Sequence, residues 1–210
     1  MTKEFESLRY KINLSDYVRV YDNALDAIAC QSLIDSFDSD DKTQLRENQF
    51  MYFMENNISR NEWHIPEVYQ SLLEYRQTYL NDLELPEIML GAEHSYEEIR
   101  MRKFRSGLGD HFFPHVDVVG NRTTARQLTF IWWLNEASSS ELDFMRLDRD
   151  LKIEPAVGRL VVFPSTWQYL YQITEPTDTD IYQLVGHAHY TDIYQRPAEE
   201  YSVDDSTIGE

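Results

Sequence analysis

Short apolar segments separated by turn residues fill the second half of the chain, and they restrict its fold more than any other feature. Seven segments between residues 98 and 190 have the length and the β-branched and aromatic content of strands. The predicted strands are 98–105, 112–118, 126–135, 141–144, 158–164, 167–173 and 181–190. Strands at this spacing are typical of a sandwich or a closed jelly roll.

The first half of the chain has a mixed pattern. Apolar residues near helical spacing, and a proline at the start of the second such segment, predict two amphipathic helices. The predicted elements are a strand at 17–21, a helix at about 25–37, a polar loop at 38–44, a strand at 49–54 and a helix from Pro66. We therefore expect a mainly β protein with flanking helices.

The length of 210 residues and the 42% hydrophobic content suit one domain with a real core. We expect this domain to span residues 1–195, with a helix and strand part at 1–95 and a barrel core at 96–195. Residues 196–210 form an acidic tail that we expect to be poorly ordered.

The formal net charge of −18 argues against nucleic acid and anionic membranes as partners. It slightly favours a basic substrate, although a solvated acidic surface explains it more simply. Cys30 is the single cysteine, so no internal disulfide forms, and its apolar surroundings favour a core position. The chain start lacks the apolar stretch of a signal peptide, and no apolar run approaches a membrane span. We expect a cytoplasmic protein.

The stretch GDHFFPHVDV, residues 109–118, carries the main chemical signal. His115 and Asp117 are two residues apart, so on a strand both side chains project to one face. A second histidine would complete the two-histidine, one-carboxylate triad of non-heme iron sites. The spacing alone is weak, because one such pair is expected by chance in a chain rich in aspartate.

Further motifs follow in order: ARQLTFIWWLN, SSSELDF, IEPAVGRLVVFPSTW and YQLVGHAHY. Together with RMRKFRSGLGDHFFPHVDV, they resemble the iron(II)/2-oxoglutarate-dependent dioxygenases of the prolyl-4-hydroxylase-like type, over about residues 98–190. The resemblance implies a double-stranded β-helix, a jelly-roll barrel, with the N-terminal helices packed outside it. It also implies Fe(II) and 2-oxoglutarate as cofactors, and His115 and Asp117 as the first two metal ligands.

The sequence departs from that family at three positions. The distal histidine that follows the FPS motif is replaced by Tyr171, and the basic residue that binds the far carboxylate of 2-oxoglutarate is replaced by Ile181. Phe112 stands where the family often has a co-substrate-binding tyrosine. An aliphatic side chain cannot neutralise a buried carboxylate, so ordinary 2-oxoglutarate binding is not expected.

Several residues are candidates for the missing roles. Tyr171 is either a third metal ligand, through its phenolate, or an aromatic that lines the pocket. His187 lies on the inward face of the last strand, where it would bind a co-substrate carboxylate, reach the metal, or be a hydrogen-bonded core residue. Arg102 is a second candidate for carboxylate binding, and His189 fits a core position. The tryptophans Trp132, Trp133 and Trp167 are most simply core.

Three functions remain open from the sequence. The first is an atypical non-heme iron oxygenase that oxidises a C–H bond of a small molecule or peptide-like substrate with O2. The alternative is a catalytically inactive binding protein of the same fold. A barrel that binds another metal for non-redox chemistry is the third. Neither the substrate nor the oligomeric state can be predicted from these patterns.

Overall fold

The computed structural model describes residues 13–58, 65–86, 94–147 and 151–190, and the predicted tail at 196–210 lies outside these ranges. The helices are α1 (Ala27–Ser39) and α2 (Pro66–Asp82). The strands are β1 (Arg19–Tyr21), β2 (Gln44–Asn48), β3 (Met51–Asn57), β4 (His94–Tyr96), β5 (Arg100–Phe104), β6 (His111–His115), β7 (Arg126–Trp133), β8 (Leu142–Phe144), β9 (Leu151–Ile153), β10 (Leu160–Pro164), β11 (Tyr171–Ile173) and β12 (Ile181–Tyr190).

The strands form one curled antiparallel sheet. Its order is β1-β10-β7-β12-β5-β3-β6-β11-β8-β9, with β2 added beside β3 and β4 beside β12. Strands that are distant in sequence thus become neighbours, and the last strand, β12, lies between β7 and β5. The predicted fold class, a mainly β jelly-roll barrel with flanking helices, is confirmed.

Alternate residues of the central strands pack into two separate cores. In β7, Phe130 and Trp132 pack on the helix side together with Leu72 of α2. Their neighbours Ile131 and Trp133 point into the barrel. This alternation explains why β7 is apolar on both faces, as a strand covered on both sides must be.

Both helices cover the outer face of the sheet, close to their predicted positions. α1 is capped by Asp26, whose carboxylate accepts a hydrogen bond of 2.8 Å from the Ala29 N–H, and it buries Cys30 in the outer core. In α2, Ser71 accepts a hydrogen bond of 3.0 Å from the indole N–H of Trp132, which fixes the helix against β7. Within the described ranges, no helix has the length and apolar character needed to cross a membrane.

The structure differs from the sequence prediction in its short and exposed elements. β2 is exposed along its whole length and so carries no apolar pattern, and β4 and β9 are only three residues long. The predicted strand at 167–173 begins only at Tyr171, since a turn closed by a hydrogen bond of 3.0 Å from Tyr169 N–H to Thr166 O precedes it. Trp132 and Trp133 are buried as predicted, but the core position of Trp167 was wrong, because this side chain is 75% exposed.

Gly158 joins the barrel to the start of α1. Its φ of +69° lies in the left-handed region, and its carbonyl accepts hydrogen bonds from the N–H groups of Ala24 (2.8 Å) and Leu25 (3.3 Å). A Cβ at this position would lie inside van der Waals contact with the carbonyl oxygen of Leu25. Only glycine fits both conditions, which explains the glycine of the GRL motif.

Candidate metal and co-substrate site

The candidate site lies inside the barrel, where β6 faces β11. Tyr171 is paired with His115 across these two strands, and their rings are 4.3 Å apart. The turn that leads into β6 is fixed by Asp110, which is fully buried and accepts hydrogen bonds of 2.9 and 3.0 Å from the backbone N–H and Nε of Arg105. The first aspartate of GDHFFPHVDV is therefore structural, and it holds the strand that presents His115.

One detail of the predicted pair was wrong. β6 ends at His115, so Asp117 does not share a strand with it and lies in the following loop. Pro114 has no N–H to donate to a ladder, and the β6–β11 pairing shifts register next to His115. The backbone carbonyl of Asp117 instead accepts a hydrogen bond of 2.8 Å from Arg126 at the start of β7. The two side chains still approach each other, with 3.9 Å between His115 Nε2 and Asp117 Oδ1.

His115 is held as a neutral imidazole. Its ring stacks on Phe112 at 3.5 Å, and its Nδ1 lies 2.9 Å from the carbonyl oxygen of Phe113. Burial of the ring lowers the pKa of His115 to about 4. The proton of the neutral ring therefore sits on Nδ1, and the Nε2 lone pair is buried without a hydrogen-bond partner.

Asp117 is a buried carboxylate, 8% exposed, with neutral hydrogen-bond donors. Its Oδ2 accepts a hydrogen bond of 2.6 Å from the Thr129 hydroxyl, and the Tyr171 hydroxyl lies 3.2 and 3.3 Å from its two oxygens. Burial alone would raise the pKa of Asp117, but the contact with His187 and the hydrogen bond from the Thr129 hydroxyl hold that pKa below its usual range. The carboxylate is ready to accept a cation.

Tyr171 is fully enclosed and acts as a donor to Asp117. Burial, together with the charge of that carboxylate, raises the pKa of the Tyr171 phenol well above its ordinary value. The side chain is therefore a neutral phenol in this arrangement. A direct ligand role would require it to lose the proton that it now donates.

His187 reaches the same carboxylate from β12. Its Nε2 lies 3.6 Å from Asp117 Oδ2 and has no hydrogen-bond partner, and its Nδ1 lies 3.3 Å from Glu97 Oε2. Glu97 also receives two hydrogen bonds of 2.7 Å from Arg126 and lies 2.6 Å from His189 Nε2. Burial alone would raise the pKa of Glu97, but the contacts with His187 and Arg126 lower it below its usual range.

Arg102 lies beside the site in a cluster of positive charge. Its Nε donates to Glu55 at 3.1 Å, and Glu55 is also paired with Arg46 (3.0 Å) and Arg100 (3.5 Å). Three guanidinium groups thus surround one buried carboxylate, and the cluster has a positive excess. The Arg102 guanidinium, 11% exposed, lies over the ring of Phe112 at 5.3 Å.

The barrel interior beyond His187 contains polar side chains without partners. Gln183 of β12 is paired in register with Arg102, and Gln127 of β7 is buried on the same inner face as Thr129. Among the described residues, neither amide group has a hydrogen-bond partner for its oxygen or nitrogen. Buried amides without partners are costly, so this interior is suited to a polar ligand.

The comparisons with known proteins agree with this geometry. The sequence of residues 100–190 matches the profile of the 2OG-Fe(II) oxygenase superfamily. The match covers 91 of the 210 residues. A comparison with curated protein sequences gave no match.

Solved prolyl hydroxylases share the fold of this chain. The viral collagen prolyl hydroxylase of Paramecium Bursaria Chlorella virus-1, in its 2OG complex, is 15% identical, with 83% of this chain and 97% of that chain covered and a TM-score of 0.63. A Pseudomonas putida prolyl-4-hydroxylase is 16% identical, with coverages of 83% and 93% and a TM-score of 0.64. The Trichoplax adhaerens prolyl hydroxylase, in complex with a hypoxia inducible factor oxygen degradation domain peptide fragment, is 14% identical, with coverages of 83% and 84% and a TM-score of 0.64. At these identities the likeness shows the fold alone.

The structure brings together most of the predicted site residues. His115, Asp117, Tyr171 and His187 surround one small volume, with Arg102 beside it across the Phe112 ring. Their roles stay predictions. Ile181 is buried near the far end of the interior, where it offers no charge.

Three residues of this region were missed from the sequence. Glu97 stands next to Glu98 in an ordinary acidic pair, and Glu55 lies just beyond the predicted strand at 49–54, so neither pattern indicated a buried partner. Thr129 was hidden in a run of apolar residues. Only its inward position on β7 identifies it as a contact of Asp117.

The residues present fit a divalent metal in part. Within the described ranges, no three His, Cys, Asp or Glu side chains are grouped closely enough to hold one ion as they stand. The donor chemistry is nevertheless suitable, because two imidazole Nε2 atoms without hydrogen-bond partners lie 3.9 and 3.6 Å from oxygens of the Asp117 carboxylate. Imidazole and carboxylate are the ligand types that non-heme Fe(II) takes.

Proposed function

We propose that this protein is an atypical non-heme iron oxygenase that oxidises a C–H bond of a small molecule or peptide-like substrate with O2. The observation that carries the proposal is the His115 Nε2 lone pair, buried without a partner 3.9 Å from the Asp117 carboxylate. His115 and Asp117 would hold Fe(II), and Tyr171 is the sequence-based candidate for the third protein ligand. Bound iron would supply the activation of O2.

The chain's own residues have distinct roles in this proposal. Thr129 and Tyr171 fix the Asp117 carboxylate through their hydroxyl groups. The stacking of His115 on Phe112 and its contact with the Phe113 carbonyl set the ring orientation. The burial of Asp117, Tyr171 and His187 limits the access of water to the site, which would reduce unproductive reaction of an oxidant.

Arg102 is our candidate for co-substrate binding; from the sequence, His187 was a second candidate for this role. With 2-oxoglutarate, the electrons for O2 come from its oxidative decarboxylation to succinate and CO2. Arg102 belongs to a cluster in which three guanidinium groups share the Glu55 carboxylate, so a second carboxylate is electrostatically favoured there. Because Ile181 offers no charge at the family's position, we expect 2-oxoglutarate turnover to be weak, and any turnover to depend on Arg102.

A peptide-like substrate is supported by the structural neighbours. The Trichoplax prolyl hydroxylase was solved with a peptide, and its fold is shared by this chain. The net charge of −18 favours a basic substrate over an acidic one.

Metal content after anaerobic reconstitution with Fe(II) tests the proposal. We expect the wild-type protein to bind about one iron per chain and His115→Ala to lose it. His111→Ala is the matched control, because His111 lies four residues away on the same strand and contacts Phe113 and the Gly109 carbonyl. No iron uptake, or uptake that His115→Ala leaves unchanged, would refute the oxygenase.

A specific observation favours the second function, a catalytically inactive binding protein. Tyr171 replaces the distal histidine and already satisfies both Asp117 oxygens with its hydroxyl, an arrangement that is complete without metal. On this alternative, the interior with Gln127, Gln183 and Arg102 binds a polar ligand and performs no oxidation. Gain of succinate formation in Tyr171→His would show that the scaffold lacks only its ligand.

A further inference from the structure

We propose that His187 supplies the third protein ligand of the metal site, at the place where the sequence predicted Tyr171. This inference rests on the proposed function, because it concerns the same iron site. His187 comes from β12, whereas Tyr171, at the distal position, lies on β11. The metal site would then be built from His115, Asp117 and His187, with its third ligand supplied by a different strand of the barrel.

The rings of His115 and His187 have the same pattern of contacts. In each ring, Nδ1 faces an oxygen acceptor: the Phe113 carbonyl at 2.9 Å for His115, and Glu97 Oε2 at 3.3 Å for His187. In each ring, Nε2 is buried and has no hydrogen-bond partner. Metal-binding histidines typically have this arrangement, with the far nitrogen held by a carbonyl or carboxylate.

The outer contacts of His187 are rigid. Glu97 is fixed by two hydrogen bonds of 2.7 Å from Arg126 and by the contact of 2.6 Å with His189. Arg126 also donates to the backbone carbonyl of Asp117 at 2.8 Å. One arginine thus positions the loop that carries Asp117 and the carboxylate that orients His187, which couples the two proposed ligands.

A divalent ion would also give partners to the buried polar atoms at this point. The Asp117 carboxylate accepts hydrogen bonds from the neutral hydroxyls of Thr129 and Tyr171 and lies beside two buried Nε2 atoms that have no hydrogen-bond partner. An ion bound by Asp117 and both Nε2 atoms would pair all three groups.

The distances from Asp117 to the two rings are close to those between ligand atoms on one ion. Neighbouring ligand atoms on an ion with bonds of about 2.1 Å are about 3 Å apart. The present separations from Asp117 oxygens are 3.9 Å for His115 Nε2 and 3.6 Å for His187 Nε2. Each Nε2 atom would approach its nearest Asp117 oxygen by less than about 1 Å, within the range of side-chain adjustment on ligand binding.

Tyr171 has the geometry of an outer contact. Its hydroxyl lies 3.2 and 3.3 Å from the two oxygens of Asp117 and donates toward them. Groups that orient a metal-binding carboxylate donate hydrogen bonds in this way. The removal of this hydroxyl therefore removes one hydrogen bond and no metal bond.

Anaerobic titration of the full chain with Co(II), followed by its visible absorption, tests the assignment. We expect His187→Gln to weaken Co(II) binding by more than about 100-fold, beyond the 10- to 100-fold that outer contacts contribute. Tyr171→Phe should retain binding close to that of the wild type. His111→Gln is the control for the loss of a histidine from this region, and His115→Ala sets the level without a site.

The outcomes separate this inference from the proposed function. Co(II) binding that depends on His115 but not on His187 overturns the inference and leaves the iron site standing. Equal losses in His187→Gln and Tyr171→Phe also overturn it. No binding by the wild type, or binding indifferent to His115→Ala, overturns both.

A measurement on the unmutated protein covers the case in which His187→Gln does not fold. Electron spin echo modulation of the Cu(II)-loaded wild type counts the coordinated imidazoles. We expect two, from His115 and His187. A single imidazole, together with a phenolate charge-transfer band in the Fe(III)-loaded protein, would assign the third position to Tyr171 and refute the inference.

Discussion

Replacement of Gly158 by alanine should destabilise this protein far more than the same change at Gly107. Both glycines have a positive φ, +69° at Gly158 and +67° at Gly107. A Cβ at Gly107 meets no atom within 4 Å, whereas a Cβ at Gly158 meets the backbone of Leu25 inside van der Waals contact. The pair therefore separates the cost of backbone conformation from the cost of a steric clash.

The size of each effect follows from these contacts. At Gly107, the left-handed conformation alone costs alanine roughly 1–2 kcal/mol. At Gly158, the same cost applies and Leu25 must also move away, which breaks the hydrogen bonds of 2.8 and 3.3 Å that the Gly158 carbonyl accepts. Each buried backbone group left without a partner costs about 1–3 kcal/mol. We expect Gly158→Ala to lose roughly 3–5 kcal/mol in total.

Urea unfolding followed by tryptophan fluorescence measures the difference. With a slope near 2 kcal/mol/M, the Gly158→Ala midpoint should fall by about 1.5 M or more, and that of Gly107→Ala by less than about 1 M. Equal shifts in the two variants would refute the clash argument. Such a result would mean that the start of α1 can move away from Gly158 without a cost in stability.

Three further changes test other parts of the structure. Ser71→Ala leaves the buried indole N–H of Trp132 without its acceptor at 3.0 Å and should cost about 1–3 kcal/mol in the same urea assay, whereas Ser36→Ala, on an exposed hydroxyl, should change little. Burial raises the pKa of Cys30 to about 11, so iodoacetamide should alkylate it only in the unfolded protein; modification at native conditions would contradict its core position. Burial alone would raise the pKa of Glu55, but the paired arginines, led by Arg102, hold this pKa below its usual range. The stabilisation by the Glu55 carboxylate is therefore present above the ordinary glutamate pKa and is lost as the pH falls below that value. Glu55→Gln should flatten that acidic loss of stability, and an unchanged pH profile would show that the cluster does not contribute.

The parts of the fold that were predictable from sequence are those with a local pattern. The helix at Pro66 and the apolar alternation of β12 needed only neighbouring residues, and the second correctly placed His187 on the inward face. β2 could not be predicted, because it is exposed throughout and exists only through its pairing with β3.

In the candidate site, too, local spacing was predictable from the sequence and non-local contacts were not. The spacing of His115 and Asp117 indicated their proximity correctly, although for a partly wrong reason, since the strand ends at the histidine. Glu97 could not be found, because its importance comes from contacts with Arg126 and His187, which are distant in sequence. Ligand orientation depends on such non-local contacts, and a single sequence carries no signal for them.

The separation of the two cores has a practical consequence for protein engineering. The helices pack on Leu184 and Ala188 of β12, while Ile181, Gln183 and Val185 face the opposite way. Inward positions can therefore be randomised in a library without disturbing the helix-packed layer. Such a library could be screened for 2-oxoglutarate turnover. One or two substitutions, for example Ile181→Lys, would supply the positive charge that binds the co-substrate carboxylate.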